Sequence, residues 1–216
     1  GLTSGVTAIG LGTDHSCALT AAGGLKCWGQ NGLGQLGDGT GVNRTTPVDV
    51  VGLTSGIAAI GSGGAGHTCA LTIAGGAKCW GWNLYGQLGD GTTRTRVTPV
   101  NVSGLAAGVV AVSSGYNSNC AFFTTGALKC WGSNHLGQLG DGTTIDRHVP
   151  VDVSLRIDDN CLAGLLAPDE VRCLGEPIVI DHPEEHRVSF IEGLHARVVG
   201  TGGSLAPAPP WCEGRV

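Results

Sequence analysis

Short apolar or β-branched runs of four or five residues recur along the first 153 residues, separated by Gly-rich and polar turns. Val6 to Ile9, Ile57 to Ile60 and Val109 to Val112 are one such set. None of these runs reaches the ten or more residues of an amphipathic helix, so the pattern predicts strands. In the first unit the strand-like segments fall at about 6–9, 16–20, 25–29 and 47–51. Four short strands in about 50 residues is the arithmetic of a propeller blade. The pattern therefore predicts an all-β protein, a β-propeller of four-stranded antiparallel blades. Pro47, Pro99 and Pro150 are expected to begin the last strand of each blade, on an outer edge where a missing N–H does least harm.

The period is fixed by an unchanged heptamer, GQLGDGT, at 34–40, 86–92 and 137–143. Each copy is preceded by Lys-Cys-Trp-Gly (Lys26 to Gly29, Lys78 to Gly81, Lys129 to Gly132) and followed by Pro-Val-Asp/Asn-Val. Residues 1–153 thus read as three tandem propeller repeats, about 5–55, 56–107 and 108–153. Residues 154–216 read as a degenerate repeat and an acidic C-terminal segment of the same propeller. Asn160-Cys161 and Val171-Arg172-Cys173-Leu174-Gly175 resemble the second and third strands of a unit, but the heptamer is missing. Gly193-Leu194 and Val198-Val199 resemble the opening of a fifth.

Pairing Cys17 with Cys27 across a hairpin sets Leu19 opposite Leu25 and leaves a three-residue loop, Ala21 to Gly23. Such loops want a left-handed residue at the third place, and Gly23, Gly75 and Gly126 stand there in the three units. One register therefore satisfies three hairpins and predicts the disulfides Cys17–Cys27, Cys69–Cys79 and Cys120–Cys130, with Cys161–Cys173 in the degenerate unit. Cys212 is left as a free or intermolecular thiol. Each short-range bridge would add ~2–3 kcal/mol. Two other readings stay open at this stage. The pairs could be buried free thiols, or zinc ligands, although no unit supplies four ligands or a Cys-x-x-Cys knuckle. Disulfides imply an oxidising compartment, and so a secreted or cell-surface location.

Composition narrows the function. Charged residues make up 13% and Gly contributes 39 of the 216 residues, which fits many tight turns. The net charge of −5 lies wholly beyond residue 153: up to there, seven Asp are balanced by three Lys and four Arg. Without a basic patch, neither nucleic acid nor an anionic membrane surface is an expected partner. No apolar run approaches the ~20 residues of a membrane-spanning helix. The chain has no Met and reads as a processed form or an excised piece of a longer product.

Candidate sites are few. Asp38, Asp90 and Asp141 in the heptamers offer one carboxylate per loop, too few for calcium, so turn chemistry is expected. His15 and His67 recur at one place per unit, which points to a hydrogen bond between strands. His182-Pro183-Glu184-Glu185-His186 formally fits a zinc-peptidase pattern. Pro183 argues against the helix that this chemistry requires. Trp28, Trp80 and Trp131 fall on the face opposite the cysteines and are expected to pack within or between blades. Trp82 and Tyr85, in a loop beside Gly86, are the expected binding surface. Asn43-Arg44-Thr45 and Asn101-Val102-Ser103 fit the glycosylation sequon. No catalytic grouping, metal site or cofactor motif stands out on the repeats.

The run His15-Ser16-Cys17-Ala18-Leu19, then Gly24-Leu25-Lys26-Cys27-Trp28-Gly29, then Gly34-Gln35-Leu36-Gly37, resembles the regulator of chromosome condensation repeat over about residues 5–153. The paired cysteines look like the exported bacterial branch of that family. The resemblance implies a propeller, usually of seven blades, whose faces and loops bind other proteins, with roles from nucleotide exchange to β-lactamase inhibition and ultraviolet sensing. Seven blades at this period need about 360 residues, so the length departs from the family pattern, and the chain is expected to be part of a longer propeller, part of a ring completed by association, or a small or open propeller. The expected function is a non-enzymatic, exported or cell-surface protein-interaction module, its partner a protein or another cell-surface component. The alternative is a self-associating structural subunit of an envelope, appendage or fibre.

Overall fold

A computed structural model of the chain describes residues 2–61, 64 and 66–154. Twelve strands form three four-stranded antiparallel sheets. Blade one holds β1 (Val6–Leu11), β2 (His15–Thr20), β3 (Leu25–Gly29) and β4 (Arg44–Asp49). Blade two holds β5 (Ile57–Gly61), β6 (His67–Thr72), β7 (Ala77–Gly81) and β8 (Arg96–Asn101). Blade three holds β9 (Val109–Ser114), β10 (Ser118–Phe123), β11 (Leu128–Gly132) and β12 (Arg147–Asp152). Strands pair in chain order within each sheet, and β5 touches both β1 and β9 across blades. The first strands are therefore the inner ones, and β4, β8 and β12 are the outer edges.

The hairpin register is the one the cysteine spacing predicts. Cys17 lies opposite Cys27 and Leu19 opposite Leu25, and the same holds for Cys69 with Cys79 and Cys120 with Cys130. Gly23, Gly75 and Gly126 take φ of 77°, 76° and 85°, the left-handed conformation that closes the turn. The fourth strand differs from the expectation. It begins at Arg44, Arg96 and Arg147, so Pro47, Pro99 and Pro150 sit inside it and not at its start. Each Pro falls where the register shifts, between Cys27/Gly29, Cys79/Gly81 and Cys130/Gly132 on the partner strand. A bulge on an edge strand needs no ladder N–H there, which is why Pro is accepted mid-strand.

The core lies between blades. Cys17, Leu19, Leu25, Cys27 and Leu36 of blade one pack against Ile57, Ala70 and Trp80 of blade two. Cys69, Leu71, Ala77, Cys79 and Leu88 of blade two pack in the same way against Val109, Ala121 and Trp131 of blade three. Blades one and two thus show their cysteine faces to the next blade, and blades two and three show their tryptophan faces to the previous one, as alternation along a strand requires.

Four expectations concern residues outside the described ones: the pairing of Cys161 with Cys173, the state of Cys212, the His182–His186 segment, and the degenerate repeat in 154–216.

Candidate functional site

The cysteines are joined within the hairpins. Cys17–Cys27, Cys69–Cys79 and Cys120–Cys130 form disulfides, each across facing positions of the second and third strands with Cα atoms 4.1 Å apart. That separation is the close, non-hydrogen-bonded spacing of an antiparallel ladder. The bridges fix the two middle strands, and the long loops are built on that base.

The loop between the third and fourth strands is organised around an Asn that sequence reasoning did not single out. Asn31 is fully buried. Its Nδ2 donates to Asp38 Oδ1 (2.9 Å) and to the carbonyls of Thr40 and Val42 (both 3.1 Å). Its Oδ1 accepts from Leu36 N (3.0 Å). Asn83 and Asn134 repeat this hub. Asp38 accepts from the amide and hydroxyl of Thr40 (2.9 and 2.7 Å) and from Arg44 Nε (2.8 Å). Burial acts to raise its pKa, but the hydrogen bonds from Thr40 and Arg44 outweigh it and hold the carboxyl below the usual range. Asp90 with Thr92 and Arg96 does likewise. In Asp141 the bond from Thr143, joined by that from Arg147, drives the same downward shift. The Asp residues act as turn organisers. The signal for Asn31 and Arg44 was present, since both recur at fixed distances from the heptamer, but neither belongs to a familiar chemical motif.

His15 and His67 make their hydrogen bonds to the next blade, not to a strand of their own sheet. His15 Nε2 lies 2.8 Å from Thr68 Oγ1, and His67 Nε2 lies 2.9 Å from Asn119 Oδ1. Thr68 spends its only hydroxyl proton on the Gln35 carbonyl (2.9 Å), and a carbonyl oxygen of Asn119 can only accept. Both imidazoles must therefore donate from Nε2 and carry a lone pair at Nδ1, which is buried without a partner. Burial pushes the pKa of His15 down to about 4, assisted by repulsion from His67. Burial also lowers that of His67, against the opposing Asn119 bond. These are neutral fastening groups.

At one rim of the blades the loops carry a different chemistry. Gln30 N, Trp82 N and Ser133 N donate to the carbonyls of Asp14, Gly66 and Asn117. These bonds bring the start of each long loop beside the turn between the first and second strands. On this rim the Trp82 and Tyr85 rings meet edge to face at 5.6 Å and 72°. Tyr85 meets His135 of blade three at 5.4 Å and 86°. The row thus crosses from one blade to the next. Leu84 and Leu136 beside it are exposed, as is Tyr116 in the β9–β10 turn. His135 lies 3.7 Å from Asp146. Gly66 leaves room for Leu33 of blade one, since a Cβ there would stand 2.8 Å from Leu33 Cδ1 and 3.4 Å from Trp82 Cβ. Trp82 and Tyr85, named from sequence, are thus brought together, with His135 and Leu136 added. Among the described residues, no cluster of three metal-ligating side chains occurs.

Stapled hairpins stacked cysteine face to tryptophan face, inner strands converging, define a disulfide-stapled β-propeller. Profiles of the Regulator of chromosome condensation (RCC1) repeat match at residues 23–71, 78–122 and 125–159, and at 6–35, 57–87 and 109–138. The chain belongs to the RCC1 repeat family. It is 31% identical to the ultraviolet-B receptor UVR8 of Arabidopsis thaliana over 67% of this chain and 33% of that protein. It is 33% identical to the probable E3 ubiquitin-protein ligase HERC4 of Homo sapiens over 64% of this chain and 13% of that protein. The chain therefore spans a third or less of the length of these relatives. Yeast RCC1 (Prp20), solved bound to Kap60, shares the fold with a TM-score of 0.62 and 22% identity over 72% of this chain and 38% of its own.

Proposed function

We propose that this chain is a non-enzymatic protein-interaction module that works outside the cytoplasm and binds its partner through the Trp82–Tyr85–His135 rim. The observation that carries the reading is the aromatic row itself, partly exposed and continuous across two blades whose strands are covalently stapled. Aromatic anchors held on a rigid base lose little entropy on binding and supply most of the energy at protein interfaces. Leu84 and Leu136, next in sequence to members of the row, are also exposed. Proteins of the same fold have protein partners: yeast RCC1 is solved with Kap60, and Prp20p is described by its binding to Gsp1p and histones. Such likeness supports the kind of ligand and does not name one. The export half of the reading rests on three bridges, which a reducing compartment would not maintain.

The test is affinity capture from the native exterior with quantitative binding to any recovered protein. Trp82→Ala with Tyr85→Ala should weaken binding at least tenfold. Ile73→Ala, in the β6–β7 turn at the opposite rim, should not change it. Equal loss from both variants, or none from the first, would reject the site. Mass spectrometry of unreduced protein from its source tests export independently, since labelled Cys17 and Cys27 would reject it.

A further inference from the structure

The third blade shows a face that the first two blades keep covered. Leu19 and Leu25 in blade one, and Leu71 and Ala77 in blade two, are at most 6% exposed because the next blade lies over them. Phe122 and Leu128 stand at the same places in blade three and are 45% and 41% exposed. The fastening carbonyl is also open. Gln35 O accepts from Thr68 Oγ1 and Trp80 Nε1 of the next blade, both at 2.9 Å. Gln87 O accepts from Asn119 Nδ2 (2.7 Å) and Trp131 Nε1 (2.9 Å). Gln138 O, the third of the series, accepts no donor among the described residues.

The chain that follows carries the matching residues. Asn160 precedes Cys161 as Asn119 precedes Cys120, and Arg172 precedes Cys173 as Lys129 precedes Cys130. Leu174 stands where Trp131 stands. The distance from Val153 to Asn160 is seven residues, against 17 from Val102 to Asn119.

We propose that residues 155–174 dock on the exposed face of blade three, in the place of a fourth blade. They lie over Phe122 and Leu128, which occupy the middle strands, and Asn160 supplies the side-chain donor for Gln138 O. Leu174 fills the tryptophan position without an indole N–H, so this interface is weaker than the two before it. A segment tethered seven residues away competes at an effective concentration near millimolar, which favours it over a second copy of the chain.

Trypsin reports the docking, because Arg156 and Arg172 lie within the segment. In the full, unreduced chain, cleavage after both should be slow and should speed up at least tenfold in Phe122→Asp. Leu174→Asp, placed outside the three blades, should accelerate it similarly while leaving hydrogen exchange in β5–β7 unchanged. It keeps the test valid if Phe122→Asp fails to fold. Sedimentation should give one monomer mass at all concentrations, and unreduced peptide mapping should recover Cys161 joined to Cys173. Rapid cleavage in the parent chain, or equal rates in all three proteins, overturns the proposal. So does a concentration-dependent dimer abolished by Phe122→Asp, which would make a second copy the cover.

Discussion

Trp80 Nε1 of blade two donates to the Gln35 carbonyl of blade one at 2.9 Å, and the same oxygen accepts from Thr68 Oγ1. One backbone acceptor thus joins two donors from the neighbouring sheet. Trp131 and Asn119 repeat the arrangement on Gln87. The two bonds act on one oxygen, so removing either leaves the carbonyl still partnered. Trp80→Phe should therefore cost ~1–2 kcal/mol beyond its packing loss, and Thr68→Val more, because it also leaves the buried His15 Nε2 without an acceptor. The double variant should cost more than their sum, because only then is the carbonyl buried unpaired. Urea denaturation of the four proteins checks this, and strict additivity would refute the shared role.

Gly37 lies against the same indole. It adopts φ of 66°, and a Cβ there would meet Trp80 Nε1 at 2.7 Å. Gly52 has a similar φ of 72° but open space around it. Gly52→Ala should cost about 1 kcal/mol, the conformational penalty alone. Gly37→Ala should cost distinctly more and alter Trp80 fluorescence, since the indole must move. Equal costs would mean that the close approach matters little.

These contacts show which parts of the fold are legible in the chain. Cys17 to Cys27 and Gly23 are readable because a hairpin is local: spacing, turn residue and cross-strand partner lie within eleven residues. The bond from His15 to Thr68 spans 53 positions and depends on how blades stack, so a period can mark His15 without naming its partner. The start of β4 at Arg44 was hidden by Pro47, which looks like a boundary until the bulge is seen. Trp82 and Tyr85 were visible as aromatic residues in a loop. His135 was not, because only the juxtaposition of blades two and three brings it to Tyr85.

The disulfides should matter to stability more than to shape. Replacing Cys17 and Cys27 together by Ala should cost ~2–3 kcal/mol in the chain-entropy account. The cavity left among Leu19, Leu25 and Trp80 adds to that. Because Cys17 and Cys27 are buried, reductant alone should act slowly and much faster in moderate urea. A denaturation midpoint indifferent to reductant would deny the staple its role.

Two carboxylates in one blade should respond very differently to the same change. Asp49 pairs with Lys26 at 2.6 Å on the exposed outer edge, its side chain 60% open. Blade two has Asn101 in that place, where it accepts from Lys78 at 2.6 Å. Asp49→Asn should therefore change stability by less than ~0.5 kcal/mol. The Asp38 side chain, only 6% exposed, is held among Thr40, Arg44 and Asn31. Asp38→Asn should cost about 2 kcal/mol, because an amide nitrogen would face the Arg44 guanidinium or the Asn31 amide. Thermal denaturation of the two variants tests the contrast directly.

Acid should unfold the blades in two stages, and the order follows from the pKa directions. His15 and His67 hold pKa values below the ordinary 6.5, His15 at about 4. In that window the unfolded chain binds protons that the native state refuses, so stability is lost as pH falls from about 6.5 towards 4. Asp38, Asp90 and Asp141 are lowered from 3.8, so their contribution persists to that point and disappears only below it. Replacing both imidazoles by Gln, which can still donate to Thr68 and Asn119, should flatten the first stage and leave the second. Urea midpoints measured between pH 7 and pH 3 would show this. A first stage that survives His15→Gln with His67→Gln would mean that the buried, neutral imidazoles are not its source.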